Sequence, residues 1–302
     1  MSDTRAGLVV ASHGRHCLVE TPEGQRVICH PRGKRSEAVV GDAVQWRASH
    51  DEGTIEKIDE RRNLFYRQDE VRTKSFAANL DLVLVLIAAE PEFSEHQLTR
   101  ALIASEAAKI PAIIGLNKSD LVEPFERAWG RLLTYQHMHY GVMPLSLRLS
   151  ADVDRSKLLK HLEGKRTLVL GPSGAGKSTL INLLVPGATV LTAEISQALN
   201  SGKHTTTATR LYWVDAKRTT ALIDSPGFQE FGLHHVEPTR LAEFMPDMRA
   251  HLGQCRFYNC THLHEPGCGV IEHVGMGKDA ITPSRYKIYT ELFAELSQQP
   301  RY

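Results

Sequence analysis

One stretch limits the fold of this chain more than any other. Gly171, Pro172, Ser173, Gly174, Ala175, Gly176, Lys177 and Ser178 together fit G-x-x-x-x-G-K-[ST]. The glycines let backbone N–H groups turn inward around phosphate oxygens, and a helix that follows adds the positive potential of its N-terminus. Such a loop works only between a strand and a helix. The sequence supplies both, with an apolar strand expected over 167–170 and a helix over 177–184. Lys177 is expected to reach the outer phosphates and the Ser178 hydroxyl to ligate Mg²⁺, with Thr179 ending the phosphate-binding segment. A glycine-rich turn that binds nothing is the plain alternative, and the context on both sides argues against it.

Apolar strands alternate with longer helical stretches on both sides of this loop. Strands are expected over 82–88, 112–116, 142–146, 211–214 and 219–223, and helices over 95–109, 125–137 and 156–162. Such alternation means a mainly parallel sheet covered by helices on both faces. Residues 7–66 read differently. Five short β-branched runs (8–11, 17–21, 25–29, 43–47 and 54–58) are separated by turn signals such as Pro22-Glu23-Gly24 and Asp51-Glu52-Gly53. They suit a small all-β barrel of the OB or SH3 kind. After Gly232 the pattern becomes helical, with stretches expected over 239–252 and 283–296. The fold expected is therefore multi-domain: an all-β OB-like barrel over 1–66, a linker over 67–78, an α/β P-loop domain over 79–233 and a mainly helical metal-binding region over 234–302. A length of 302 residues fits that division.

Three further motifs carry chemistry. Asn117-Lys118-Ser119-Asp120 fits N-K-x-D and follows the strand 112–116. A carboxylate such as Asp120 can accept both N–H bonds of guanine, a donor pair that adenine lacks, so the nucleotide expected is GTP or GDP rather than ATP. Asp224-Ser225-Pro226-Gly227 fits D-x-x-G, with Asp224 expected to hold Mg²⁺ through water and the Gly227 N–H to contact the terminal phosphate. The residue after that glycine is Phe228, where many GTPases carry a water-orienting glutamine. An apolar ring cannot orient water, so slow intrinsic hydrolysis, or another catalytic group, is expected. Gly202–Thr207 lies where a first switch belongs; Thr206 is the choice for Mg²⁺, and His204 is either a water-orienting base or an ordinary loop histidine. Ser146-Leu147 is a faint candidate for the remaining guanine contact. Finally, Cys255, Cys260, His262 and Cys268 fall within fourteen residues. Three thiolates and one imidazole close a tetrahedral zinc site with no free position, which makes the metal structural; His264 and His273 are competing donors.

Bulk properties narrow the setting. The formal net charge is +1, so any nucleic-acid surface must be local. Basic residues gather at Arg32, Lys34 and Arg35 and again at Arg61, Arg62, Arg67, Arg72 and Lys74, where a solvated face and an RNA footprint fit equally well. The longest apolar run, 80–89, contains Asp81 and is too short to span a bilayer. The five cysteines are odd in number and clustered, and the N-terminus has no apolar core of the secretory kind. A cytoplasmic, monomeric protein without a membrane partner is expected.

The order of the motifs is the sharper clue. N-K-x-D precedes the phosphate loop by about fifty residues, whereas in an ordinary GTPase it comes last. Motifs at strand ends need only converge in space, so this order describes a circular permutation. A barrel, a permuted GTPase and a Cys-x₄-Cys-x-His-x₅-Cys tail together resemble the ribosome small-subunit-dependent GTPase A family of bacteria. The resemblance spans nearly the whole chain, from Gly41-Asp42 through Asn117–Asp120, Gly171–Thr179, His204–Thr207 and Asp224–Phe228 to Cys255–Cys268. It implies an OB-fold, a structural zinc, and GTP hydrolysis stimulated by the small ribosomal subunit and its rRNA during late maturation, with His204 catalytic. Two departures stand out: no long basic N-terminal extension, and Phe257-Tyr258-Asn259 where an Arg-Asp pair is common. A non-catalytic RNA-binding module switched by GTP is the competing reading. An ATP-dependent kinase or transporter subunit would leave Asn117–Asp120 and the cysteine tail unexplained.

Overall fold

The computed structural model describes residues 4–13, 16–32, 38–49, 52–69, 73–188, 209–225, 228, 231–277 and 280–298. Five strands come first: β1 (Arg5–His13), β2 (His16–Glu20), β3 (Arg26–Pro31), β4 (Ala43–Ala48) and β5 (Gly53–Ile58). They pair in the order β1-β2-β3-β5-β4, and β1 also pairs with β4. Each strand thus has two neighbours and the sheet closes on itself, which removes its edges. Val9, Cys17, Val19, Cys29, Val44, Trp46 and Ile55 fill the interior. This is the expected five-stranded OB-like barrel.

A hairpin, β6 (Leu64–Gln68) and β7 (Thr73–Ala78), occupies the stretch expected as a connector. Its charged, aperiodic sequence hides the strands, because only Phe65, Phe76, Ala77 and Ala78 turn into the core. The parallel sheet follows: β8 (Leu82–Ala88), α1 (Glu95–Ala107), β9 (Ala112–Asn117), α2 (Val122–His137), β10 (Gly141–Pro144), α3 (Ala151–Leu162), β11 (Arg166–Leu170), α4 (Lys177–Leu184), β12 (Thr209–Trp213) and β13 (Ala221–Asp224). Its order is β10-β9-β8-β11-β13-β12, parallel except for β12. β8 is buried along its whole length, as a central strand covered on both faces must be. One core, including Leu98, Leu102 and Leu132, lies under α1 and α2, and a second, including Leu158, Leu180 and Leu184, under α3 and α4.

The barrel and this sheet are one hydrogen-bonded surface. β1 pairs antiparallel with β12, Ala11 opposite Arg210 and Ser12 opposite Thr209, giving eleven strands in all. The register of β1 against β2 shifts between Val9 and Ala11. A bulge of this kind bends a strand, so the first half of β1 serves β4 and the second half serves β12.

The C-terminal region has short helices and one long one: a 3₁₀ turn (Pro238–Phe244), α5 (Pro246–Arg249), a second 3₁₀ turn (Leu252–Gln254), α6 (Gly269–Glu272) and α7 (Pro283–Leu296). The helix expected over 239–252 is broken. Pro246 has no N–H to donate and forces the residue before it out of the helical region; Met245 is extended, at φ −116° and ψ 100°. Helix α3 starts five residues earlier than expected because Asp152 and Asp154 lie in its first turn, where the helix dipole favours them. Arg285 on α7 is 2% exposed and reaches into the rest of the molecule. It grips Asp247 with two N–H groups at 2.9 and 3.0 Å and donates to Thr99 Oγ1 on α1 at 2.7 Å. No helix among the described residues is long and apolar enough to cross a membrane.

Candidate functional site

The parallel registers bring the motifs to one edge. Ala88 lies opposite Asn117, Val85 opposite Leu170, and Val169 opposite Asp224, so β8, β9, β11 and β13 all end on the same side. Strand order reverses between β8 and β11, and the crevice outside such a switch point is where open α/β sheets bind ligands. Gly171 opens the phosphate loop there. A Cβ on it would lie 2.2 Å from the Leu86 carbonyl oxygen, so only glycine lets the chain pass so close to β8. Gly176 ends the loop at φ +104°, and a Cβ there would lie 2.4 Å from Asn117 Nδ2.

That contact marks where the two separated motifs meet. Asn117 is buried; its Nδ2 donates to the Ala175 carbonyl at 2.9 Å and its Oδ1 accepts from Leu147 N–H at 3.2 Å. The guanine-reading candidate and the phosphate loop, about fifty residues apart in sequence, are thereby fastened together. Ser146 joins the same network. Its hydroxyl donates to Asp120 Oδ1 at 2.6 Å, its N–H donates to the buried Asp154, and Ser119 N–H donates to the Leu145 carbonyl at 2.9 Å. Lys118 takes a left-handed backbone, φ 66°, and sends its ammonium to the Glu90 carbonyl on the turn after β8.

On the other side of the loop, Lys177 Nζ lies 3.4 Å from Asp224 Oδ1 and 3.3 Å from the Ser225 carbonyl. A cavity of about 450 Å³ opens over the loop and includes Ser173, Lys177, Ser178 and Thr179. Two of its walls, Arg148 and Phe228, belong to other segments. Phe228 is buried and faces the cavity, where a polar side chain would have met solvent and ligand. Arg148 was not legible as a site residue. Its only signal was its place two residues after Ser146, in a loop too short for a pattern. His204, Thr206 and Gly227 lie outside the described residues.

Residues 231–235, before the cysteine cluster, lie against the hairpin β6–β7. Gln68 of β6 donates its N–H to the Gly232 carbonyl at 3.1 Å, and His234 N–H donates back to the Gln68 carbonyl at 2.9 Å. Phe231 stacks on Phe76 with centroids 5.7 Å apart, and Tyr66 meets His235 at 4.4 Å. The hairpin thus holds the chain where it passes from the GTPase sheet toward the C-terminal region.

Cys255, Cys260, His262 and Cys268 do converge, their ligand atoms all within 4.8 Å of one another. Bonds of about 2.3 Å to sulfur and 2.0 to 2.1 Å to nitrogen place tetrahedral ligands about 3.8 Å apart for two sulfurs and about 3.6 Å for a sulfur and a nitrogen. The separations are 4.0 Å for Cys255 to Cys268, 3.6 Å for Cys255 Sγ to His262 Nδ1, and 3.4 Å for His262 Nδ1 to Cys268 Sγ. The set fits one thiophilic divalent cation. His264 is exposed and His273 turns its Nδ1 to the Gly269 carbonyl, which leaves His262 as the imidazole of the group. Burial pushes the Cys260 thiol up to about 12 and raises Cys268 as well. Three thiolates held so close need a cation to exist at neutral pH. Tyr286 and Tyr289 of α7 donate to the His262 and Thr261 carbonyls at 2.9 and 2.7 Å, tying the cluster to the long helix.

Known proteins share this arrangement. The sequence profile of the RsgA GTPase family matches residues 58–234. A protein of Variovorax paradoxus (strain S110), the "small ribosomal subunit biogenesis GTPase RsgA", is 73% identical over 294 residues, covering 97% of this chain and 92% of its own. A protein of the same name from Paraburkholderia phytofirmans is 52% identical, covering 98% and 95%. Among solved structures, YjeQ from Thermotoga maritima superposes with a TM-score of 0.73 at 28% identity, over 98% of this chain and 100% of that one. YloQ, described as a circularly permuted GTPase, superposes at 0.71 with 25% identity, over 99% and 98%. The permuted order of motifs on one sheet edge, the barrel before it and the Cys–His cluster after it thus find their explanation together: the chain is a circularly permuted GTPase and belongs to the RsgA GTPase family.

Proposed function

We propose that this GTPase acts in late maturation of the small ribosomal subunit, hydrolysing GTP to GDP and phosphate when the subunit completes its catalytic site. The single observation that carries the nucleotide assignment is the bond from Asn117 Nδ2 to the Ala175 carbonyl, which holds a guanine reader against a phosphate loop. The subunit enters through the relatives, whose names place them in its biogenesis.

Each residue has a role in this reading. Asp120 accepts from the guanine ring, oriented by the Ser146 hydroxyl, while Lys118 lies along the base. The backbone of Gly171, Pro172, Ser173, Gly174, Ala175, Gly176, Lys177, Ser178 and Thr179 wraps the phosphates, and Lys177 leaves Asp224 to pair with their outer oxygens. Ser178, Asp224 and Thr206 form the Mg²⁺ site, and the ion, when bound, offsets charge on the β- and γ-oxygens. The Gly227 N–H contacts the terminal phosphate. Phe228 shuts water-orienting groups out of that wall, so His204 is the residue assigned to aim the attacking water in the subunit-bound state. Zinc on Cys255, Cys260, His262 and Cys268 is structural, because four protein ligands leave it no open position. The barrel over 1–66 and the C-terminal region over 234–302 hold rRNA on either side of the GTPase domain over 79–233, in a cytoplasmic monomer.

The test is GTP turnover over a titration of purified small and large subunits. Stimulation by the small subunit alone is expected. Stimulation by neither, or only by the large one, overturns the ribosomal assignment and leaves the GTPase standing.

A further inference from the structure

The loop between the first two ligands of the Cys–His cluster is unlike its surroundings. Cys255 and Cys260 point toward the cluster, yet Arg256, Phe257, Tyr258 and Asn259 between them are all exposed. Tyr258 is as open to solvent as in an extended chain, at 102% relative exposure, and Phe257 is 40% exposed. The loop is nonetheless well anchored. Arg256 N–H donates to the Gly267 carbonyl at 2.9 Å and Cys260 N–H to the Phe257 carbonyl at 3.3 Å, in addition to the two ligands that end it. The Arg256 guanidinium lies 5.5 Å from the Phe257 ring centroid, and no carboxylate among the described residues pairs with it. Glu265, between the last two ligands, is occupied by the N–H groups of Thr261, Leu263 and His264 and by the Thr261 hydroxyl.

A single exposed aromatic needs no explanation. Two adjacent ones, beside a cation with no carboxylate partner among the described residues, on a loop fixed at both ends, form a combination with a use. We propose that Phe257, Tyr258 and Arg256 form a stacking platform for unpaired bases of RNA. Every nucleobase offers a π-face to an aromatic ring, and a guanidinium beside it takes the neighbouring phosphate or stacks in turn. A protein partner would require apolar neighbours around the rings to build a desolvated centre. Of the residues near them in sequence, the exposed ones, Gly253, Gln254, Asn259, His264, Pro266 and Gly267, are polar or compact groups that offer no such centre. The anchoring matters as much as the rings, since a platform fixed before binding loses little freedom on stacking. The inference rests on the proposed attachment to the small subunit, which supplies the unpaired RNA.

The experiment uses the zinc-loaded full chain. Its probes are a short unstructured RNA oligonucleotide, the same strand annealed into a duplex, and purified small subunits. The double variant Phe257→Ala/Tyr258→Ala is expected to lose about tenfold or more in affinity for the single strand and to change little toward the duplex, given the usual worth of a base–aromatic stack. Tyr258→Phe, which keeps the ring, is expected to bind as the wild type does. Tyr258→Ala alone guards against a folding artefact, because that side chain touches nothing it could unfold, and zinc content and unfolding midpoint are read for each variant. Single-strand affinity within twofold of wild type in the double variant, or Tyr258→Phe as weak as Tyr258→Ala, overturns the platform. Subunit-stimulated turnover of the wild type is followed in parallel: if it persists while the affinities do not differ, the platform alone falls, and if it is absent, the proposed function falls.

Discussion

Replacing Gly176 by alanine probes the junction on which the nucleotide site depends. The residue sits at φ +104°, a backbone region that costs a non-glycine residue about 1–3 kcal/mol. The added Cβ would also lie 2.4 Å from Asn117 Nδ2, inside any real contact distance. Asn117 is buried and cannot withdraw without giving up its bonds to the Ala175 carbonyl and the Leu147 N–H. Losing one such bond and orphaning its buried partner costs about 1–3 kcal/mol. The two effects together come to about 2–6 kcal/mol. The free protein can escape part of this by letting the loop drift from Asn117, but nucleotide binding must then restore the loop. At about 1.4 kcal/mol per factor of ten, affinity for GDP and GTP should fall by about 30-fold or more. Titration with a fluorescent guanine nucleotide measures the loss, and the unfolding midpoint of the nucleotide-free protein measures what remains in the fold. Gly130→Ala is the control, because a Cβ there meets nothing within 4 Å on the same sheet's helix α2 and should stabilise by about 0.5–1 kcal/mol. If Gly176→Ala leaves both affinity and midpoint unchanged, the two motifs are not coupled through Asn117.

Three further outcomes follow from the same structure. Asp120→Asn should relax the preference for guanine over other purine triphosphates by removing the acceptor that Ser146 orients, and competition binding with GTP, ITP and XTP reads the change. Arg285→Leu should destabilise the docking of α7 by about 3–5 kcal/mol, because it strands the buried Asp247; Arg285→Leu combined with Asp247→Leu should recover much of the loss, and equal instability of the single and double variants refutes the argument. His235, held down at about 4 by burial and by His234 beside it, favours its neutral form in the fold. Its contribution is complete above the ordinary histidine pKa of about 6.5 and drains as pH falls from there toward 4, since the unfolded chain takes up the proton first. Hydrogen exchange of the His234 amide should therefore speed up between pH 7 and 5 beyond its intrinsic rate, and His235→Phe should abolish that excess.

Much of the site was open to reading because its signals are local. The phosphate loop needs glycine at fixed offsets between a strand and a helix, and the helix Lys177–Leu184 begins and ends where that pattern says. The turns of the barrel announce themselves with Gly, Pro and Asp, so five strands were placed within a few residues of their observed bounds. The hairpin Leu64–Ala78 escaped because its outward residues are charged and its inward ones few. The break at Pro246 escaped because apolar spacing on both sides mimicked one helix, although the proline itself was the available warning.

What the sequence determined by itself was short-range pattern: a glycine-rich loop between a strand and a helix, three cysteines and a histidine spaced to converge, and, from the order of the motifs alone, that the sheet is permuted. What only the tertiary structure decided was who touches whom across long separations. Sequence could not show that β1 bends at a bulge to extend the nucleotide sheet, that Asn117 braces the loop at Ala175, or that the hairpin intercepts the chain after Asp224. Nor could it show that Arg285 is buried against Asp247 and Thr99. Spacing encodes the period of one element, whereas the pairing of edges, the burial of a charge and the approach of two backbones depend on how elements pack, and that is a property of the whole fold.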